Sequence, residues 1–185
     1  SGGAYPSGQG KSHFPAQLHD AFGSLSLEEL ENKSVDVVAA GRIMTRRIMG
    51  KASFCTIQDG FGQIQAYVAR DFLPEGDYAM FKQWDIGDIV EVSGCLFKTK
   101  TGELSIKASQ VTLLSKALRP LPDKYHGLHD REICSRQRYL DLMVNEKTRQ
   151  VFKMRIQLVK AIRNFFDARS FLEVETPMMH PLVGG

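Results

Sequence analysis

The sequence predicts a mainly β protein with some α-helix: a five-stranded barrel, then a helical linker, then a long helix and a final strand. Between residues 35 and 114, apolar and polar residues alternate in five short segments, and Gly- and Asp-containing turns separate them. Beyond residue 145 the apolar spacing changes to three and four residues, as in an amphipathic helix. A hydrophobic fraction of 43% is sufficient for a packed core.

The first 34 residues predict an arm and one short helix. Residues 1–23 are rich in Gly, Pro, Ser and Gln, which is typical of a surface arm. A helix is predicted over residues 24–32, because Ser26 can cap its first turn and Glu29 follows three residues later.

The barrel is predicted over residues 35–117. Its first strand is long, and Gly41 would allow a bend or a β-bulge within it. Residues 59–62 predict a hairpin loop, and residues 71–83 predict a turn and a short helix. Five strands with a helical insert between the third and the fourth is the strand plan of the OB-fold, a partly open Greek-key barrel. The five predicted strands are residues 35–48, 51–58, 63–68, 89–97 and 103–114.

A linker is predicted over residues 118–144. Pro120 and Pro122 stiffen its beginning, because each proline fixes its φ angle and lacks a backbone donor. One helix is predicted over residues 130–143.

The last predicted segment, residues 145–185, is a long helix followed by a strand. Asn145 can cap the helix, which runs to about Arg169, and residues 171–178 read as the strand. An amphipathic helix and one strand cannot bury their apolar side chains alone. We therefore expect a partner or a further part of the chain to cover them.

The charge of the chain does not by itself identify its partner. The formal net charge is only +3. Four basic residues without an intervening acid, Arg42, Arg46, Arg47 and Lys51, could form a positive stripe for nucleic acid. The same residues could equally be a solvated strand face.

The cysteines and histidines predict no metal site. Cys55, Cys95 and Cys134 have no paired spacing, which argues against a zinc site or a disulfide framework and favours a reducing, cytoplasmic setting. Cys55 and Cys95 fall in apolar strand patterns and are predicted to be small core residues. His126 and His129 have metal-like spacing, but no acid or thiol completes a site. No apolar run approaches the roughly 18 residues that span a membrane, and no signal peptide is visible.

Strand alternation separates inward from outward side chains in the predicted barrel. The small and apolar side of the second strand fits the interior, so Phe54 falls on the polar outer side. Arg47 lies next in sequence and can reach the same face. The outward residues of the second, third and fifth strands are Phe54, Thr56 and Gln58; Gln63, Gln65 and Tyr67; and Glu103, Ser105 and Lys107.

Four of these side chains suit an unpaired nucleic-acid base. A base can stack on Phe54, which contributes about 1–3 kcal/mol. Gln65 offers a donor and an acceptor, and Glu103 only accepts, so it could take the N–H of a uracil. Arg47 can pair with phosphate or stack on a ring. Alternatively, Phe54 covers a neighbouring strand or packs under the N-terminal arm.

This sequence closely resembles the anticodon-binding OB domain of bacterial lysyl-tRNA synthetases in residues 41–54, followed by Gln58 and Asp59, in residues 94–105, and in residues 121–128 with residues 136–142 after them. The resemblance covers about residues 4–185. It implies that the residues matching the anticodon-reading positions are Arg47, Phe54, Gln65 and Glu103, and that the partner is a lysine tRNA.

The end of the chain resembles motif 1 of class II synthetases, the start of their catalytic domain. The resemblance implies a homodimer through the helix from Asn145 to Arg169, and ATP and Mg²⁺ in the full-length enzyme. Motifs 2 and 3 would follow residue 185, so the chain alone is expected to lack catalytic residues and adenylation activity. Gly184 lies where the family's substrate pocket begins, and Ser170 stands where the family usually has a glycine.

Two other classes of protein remain open from the residues. A generic single-strand-binding OB protein would bind RNA without reading its sequence. A self-association protein would use the helix after Asn145 mainly to pair with a second copy.

Overall fold

In the computed structural model, the described residues are 10, 12–121, 128 and 130–179. Residues 1–121 and 122–185 form two separate compact units.

The first unit is the predicted five-stranded OB-fold. Its strands close into a barrel in the order β1-β2-β3-β5-β4, so that every strand is paired on both sides. β3 and β5 are parallel and the other four pairs are antiparallel. The strands are β1 (Asp36–Met49), β2 (Ala52–Gln58), β3 (Gln63–Ala69), β4 (Ile89–Lys98) and β5 (Leu104–Ser115).

A β-bulge in β1 decides which of its side chains face outward. The register with β2 shifts between Ile43 and Thr45. Ile43 is fully buried, and strict alternation from it would turn Arg47 inward as well. The extra residue reverses the phase, so Arg47 is exposed and lies opposite Phe54.

Gly41 was the predicted position of the bend or bulge, but it serves another purpose. It lies where β1 passes from β4 onto β2, close to the end of β2. A Cβ added there would lie 2.7 Å from the carbonyl oxygen of Gln58. The glycine therefore permits a close backbone approach, and the bulge follows it at residues 43–45.

The N-terminal arm contains a helix that the composition did not predict. α1 (Pro15–Phe22) begins with a proline and buries Leu18, which is 1% exposed, against the barrel core. The second predicted helix is confirmed as α2 (Leu27–Lys33). Its capping box is complete, with Ser26 Oγ accepting from the Glu29 N–H.

One end of the barrel is closed by the insert between β3 and β4. A 3-10 turn (Arg70–Phe72) follows β3, and the short helix α3 (Asp77–Phe81) comes next. Phe81 is 1% exposed and packs edge-on against Trp84, with ring centroids 5.4 Å apart. The Tyr78 hydroxyl donates to the Gly50 carbonyl at 2.9 Å and so ties α3 to the β1–β2 turn.

A buried carboxylate holds the turn before β4 against the chain after β5. Asp88 is fully buried and accepts from the backbone N–H of Asp85, from that of Ala117 and from Lys116 Nζ. Burial alone would raise the pKa of Asp88, but these hydrogen bonds outweigh it, and the pKa is lowered.

The two strand cysteines face opposite sides of the barrel. Cys55 is buried, and desolvation raises the pKa of its thiol to about 12. The prediction that Cys95 is a core residue is wrong. It lies opposite Lys107 on the outer side of β4 and β5, and its thiol donates to Asp36 Oδ1 at 2.8 Å.

In the second unit, the single helix predicted over residues 130–143 is two helices. α4 (Arg131–Arg136) and α5 (Arg138–Val144) are separated at Gln137, whose φ of −116° and ψ of 58° are not helical. α6 (Glu146–Asp167) is the predicted long helix. Among the described residues, none of the helices combines the length and the apolar character needed to cross a membrane.

Asn145 precedes α6 as predicted, but its side chain does not cap the helix. Its amide instead donates to Asp141 Oδ1 at 2.6 Å and to the Leu128 carbonyl at 3.2 Å. Asp141 is 2% exposed and also accepts from Thr148 and Arg138. Asn145 therefore joins α6 to the chain before it through a buried carboxylate.

The chain after α6 differs from the predicted strand. Residues 171–177 have no assigned strand, because no described strand pairs with them. Ser170 adopts a left-handed conformation with φ of 63°, the geometry that glycine would supply at this turn. Exposed apolar side chains line α6 at three- and four-residue spacing: Val151, Met154, Leu158, Ile162 and Phe165.

Candidate nucleic-acid interface

The outer sides of β1, β2, β3 and β5 form one continuous face. Arg47 on β1 lies opposite Phe54 on β2, and Phe54 lies opposite Tyr67 on β3. Tyr67 is in turn level with Lys107 on β5. Strand pairing therefore places these four side chains in one row across the barrel, which we call the aromatic row.

A second row of polar side chains runs beside the aromatic row. Thr45 donates to Thr56 at 2.8 Å, Thr56 lies opposite Gln65, and Gln65 is level with Ser105. Glu103 is exposed at the entry to β5, two residues before Ser105. All four sequence-predicted positions, Arg47, Phe54, Gln65 and Glu103, thus lie on the same face.

The Phe54 ring is half-buried and leans on the neighbouring strand. Its centroid lies 5.0 Å from that of Tyr67, with an angle of 45° between the ring planes. The alternative that Phe54 covers a neighbouring strand is therefore partly right, although part of the ring still faces solvent. This partial exposure leaves room for a further planar group to stack.

The amide of Gln65 is held by a buried hydroxyl. Ser105 lies on the outer side of β5, as expected. Its side chain is nevertheless fully buried, because neighbouring groups cover it. Its Oγ donates to Gln65 Oε1 at 3.0 Å. Because the amide oxygen already accepts a hydrogen bond from Ser105, the amide nitrogen is the group available to donate to a ligand.

Glu103 is positioned by the tight β4–β5 turn. Its backbone N–H donates to Thr99 Oγ1 at 3.1 Å, and its carbonyl accepts from the Thr99 N–H at 3.0 Å. The turn fixes the backbone of Glu103 while its side chain remains exposed. The carboxylate can therefore accept a hydrogen bond from a group lying on the face.

The predicted positive stripe is divided between two sides of the barrel. Arg42 Nη1 donates to the Gly87 carbonyl at 2.6 Å, and Arg46 donates to carbonyls around the end of α3. Both side chains therefore form hydrogen bonds with the main chain of the barrel. Arg47 and Lys51 are exposed, and neither forms an ion pair with a residue that the structure describes.

Sequence reasoning missed the aromatic side chains around Tyr67. The Tyr67 ring lies 6.0 Å from Phe97 and 6.4 Å from Phe72, between centroids. Alternation had placed Tyr67 outward, but it gives no sign that β4 and the 3-10 turn bring two more rings beside it. The closure of β3 onto β5 creates this cluster.

Three other candidate residues lie outside the described part of the chain. These are Gly184, the candidate for a substrate pocket, and His126 and His129. Within the residues that the structure describes, no three His, Cys, Asp or Glu side chains are grouped closely enough to hold a metal ion.

Two protein families match separate parts of the chain. Residues 37–114 match the OB-fold nucleic acid binding domain of the tRNA anti-codon family. Residues 130–185 match the tRNA synthetases of class II (D, K and N). The first match covers the strands that carry the aromatic row, and the second covers α4, α5 and α6.

The similar proteins include lysine–tRNA ligases. The chain is 57% identical over 185 residues to the heat-inducible lysine–tRNA ligase of Escherichia coli K12. It is 56% identical over 184 residues to the lysine–tRNA ligase of Coxiella burnetii RSA 493. Each alignment covers all of this chain but only 37% of the relative, so the chain spans little more than a third of the length of those proteins.

Proposed function

Since this chain joins an OB-fold domain of the tRNA anti-codon family to the start of a class II (D, K and N) tRNA synthetase domain, we propose that it is the tRNA-reading part of a lysine–tRNA ligase. The observation that carries the proposal is the single face that holds Arg47, Phe54, Gln65 and Glu103. The whole ligase would attach lysine to its tRNA at the expense of ATP, and this chain would select the tRNA.

The face can read a uracil-rich anticodon through three kinds of contact. A base unstacked from its neighbours packs on Phe54. The Gln65 amide nitrogen donates to a carbonyl oxygen of a pyrimidine, because Ser105 engages the amide oxygen. Glu103 accepts the N–H of uracil and disfavours cytosine, whose ring nitrogen at that position is itself an acceptor.

Arg47 supplies the charge for this recognition. It is exposed and lies opposite Phe54. A guanidinium there can pair with the phosphate beside the stacked base, which positions the strand without reading its sequence.

ATP and Mg²⁺ belong to the proposal only for the whole ligase. The described residues of this chain offer no grouped carboxylates or imidazoles for a metal ion. We therefore name no Mg²⁺ ligand among the described residues. A cytoplasmic location, in which the three cysteine thiols stay free, also belongs to the proposal, and cell fractionation tests it.

Binding to two tRNAs that differ only in the anticodon tests the proposal. We expect the chain to bind a lysine tRNA more tightly than the same tRNA with its middle anticodon base changed, by about 1–3 kcal/mol as for one lost base contact. Fluorescence anisotropy measures both affinities. Equal affinities, together with equal binding of poly-U and poly-C, would instead identify a generic single-strand-binding OB protein.

Replacing Ser105 with alanine should reduce selectivity through Gln65. Without the hydroxyl, the Gln65 amide is free to rotate, and the preference for uridine over cytidine should fall by about 0.5–1.5 kcal/mol, the value of one hydrogen bond. In a Gln65→Ala background the same change should have no further effect on preference. An equal loss in both backgrounds would show that Ser105 acts on the fold instead.

We also propose that α6 forms a dimer interface with a second copy of the chain. Val151, Met154, Leu158 and Ile162 are at least 50% exposed and recur at three- and four-residue intervals, so they share one face of the helix. Sedimentation velocity over a range of concentrations should show a dimer, and Ile162→Asp should shift the equilibrium to monomer. A strict monomer at every concentration would remove the interface.

A further inference from the structure

The aromatic row continues past Phe54 and Tyr67 to a cation on β5. Lys107 Nζ lies 4.0 Å from the centroid of the Phe72 ring, on the side of the face away from Arg47. Tyr67 connects Phe54 to this group, because its ring contacts both Phe54 and Phe72. Rings and cations are therefore continuous from Arg47 to Lys107.

Tyr67, Phe72 and Lys107 are not part of the barrel core. Lys107 is exposed, Phe72 is 45% exposed, and Tyr67 is half-buried. Lys107 forms no ion pair with any residue in the described part of the chain. Its contact with Phe72 holds the ammonium in place without neutralising its charge, which leaves it able to meet an anion.

The spacing of the row fits a strand that extends past the base on Phe54. Lys107 is two strands away from Phe54, which is roughly 10 Å at about 4.8 Å per strand. Backbone phosphates recur along a single strand of RNA, and rings with a nearby cation are the means by which OB-folds hold such strands. The group therefore lies within reach of the nucleotides next to the three that are read.

We propose that Tyr67, Phe72 and Lys107 form a flanking-nucleotide subsite, in which Lys107 binds the backbone phosphate and Tyr67 and Phe72 support the adjoining nucleotide of the anticodon loop. The subsite rests on the proposed function, since it extends the same face. It contributes affinity and register without reading a base, because a phosphate carries no sequence information. A three-nucleotide RNA whose three bases all occupy the reading residues has no further nucleotide to place in the subsite.

Two RNAs of different length test the subsite in the full chain. The probes are a uridine trinucleotide and a uridine heptanucleotide, and the variant is Lys107→Gln. We expect the variant to bind the heptanucleotide about five- to tenfold more weakly near 50 mM salt, with a slope of log affinity against log salt smaller by about 0.7. Binding of the trinucleotide should be unchanged, and Lys107→Arg should restore the salt slope.

Lys82→Gln is the matched control. Lys82 is also an exposed lysine beside an aromatic ring, 5.3 Å from the Tyr78 centroid, but it follows α3 at the closed end of the barrel. It should leave both affinities unchanged. The subsite is overturned if Lys107→Gln matches Lys82→Gln, or if it weakens both RNAs equally. A parent chain without anticodon preference would count against the proposed function instead, whatever Lys107→Gln does.

Discussion

Phe54→Ala should weaken binding of a lysine-tRNA anticodon stem–loop by about 1–3 kcal/mol, the contribution of one stacked base. That is about fivefold to over a hundredfold in the dissociation constant. The ring is the largest apolar surface among the four proposed reading residues, and it lies between Arg47 and Tyr67. Most of the preference for the lysine anticodon should be lost as well, because a base that is not held flat cannot be presented to Gln65 and Glu103.

Fluorescence anisotropy with the lysine anticodon and with an altered middle base measures both effects. Phe54→Tyr is the matched control, because it keeps the ring and should retain the affinity within about 0.5 kcal/mol. If the alanine variant binds both RNAs as the parent does, the stacking role of Phe54 is wrong.

Phe81→Ala should be among the most destabilising single substitutions in the barrel. The side chain is 1% exposed and packs between Tyr78 and Trp84 at the closed end. Its removal leaves a cavity beside Tyr78 and Trp84, and such truncations lower the free energy of unfolding by about 3–5 kcal/mol. A loss of that size is a large fraction of the roughly 5–15 kcal/mol that stabilises a domain.

Chemical denaturation followed by tryptophan fluorescence measures this loss. Trp84 is the single tryptophan of the chain and touches Phe81, so its signal reports on this unit. Met80→Ala on the same helix is the control, because Met80 is 53% exposed and should cost less than about 0.5 kcal/mol. Equal small losses in the two variants would show that α3 does not support the barrel.

Strand alternation predicted most of the candidate site because it depends on a local rule. Side chains two residues apart share a face, so the apolar side of β2 alone was enough to place Phe54 outside. Alternation alone does not give the direction of the Arg47 side chain, because that direction depends on the bulge at residues 43–45. The sequence suggested a bulge at Gly41, because glycine often marks an irregularity in a strand. The register shift occurs instead among residues that are not glycines.

The features that sequence reasoning missed depend on tertiary contacts. α1 is eight residues long, and its burial of Leu18 needs the barrel beneath it. The break at Gln137 interrupts an apolar pattern that is compatible with one continuous helix. Cys95 sits in an apolar run, yet it lies on the outer side of β4, where pairing with β1 places it beside Asp36.

Pairing on both sides of β2 and β3 confines recognition at the aromatic row to side chains. Phe54 pairs with both Arg47 and Tyr67, and Tyr67 pairs also with Lys107, so the main chain of these two strands has no open edge along the row. What this face binds is therefore determined by its side chains, which can be replaced without changing the main chain of the barrel. A few substitutions on the outer surface could therefore change what this face binds while the fold and stability of the barrel are preserved.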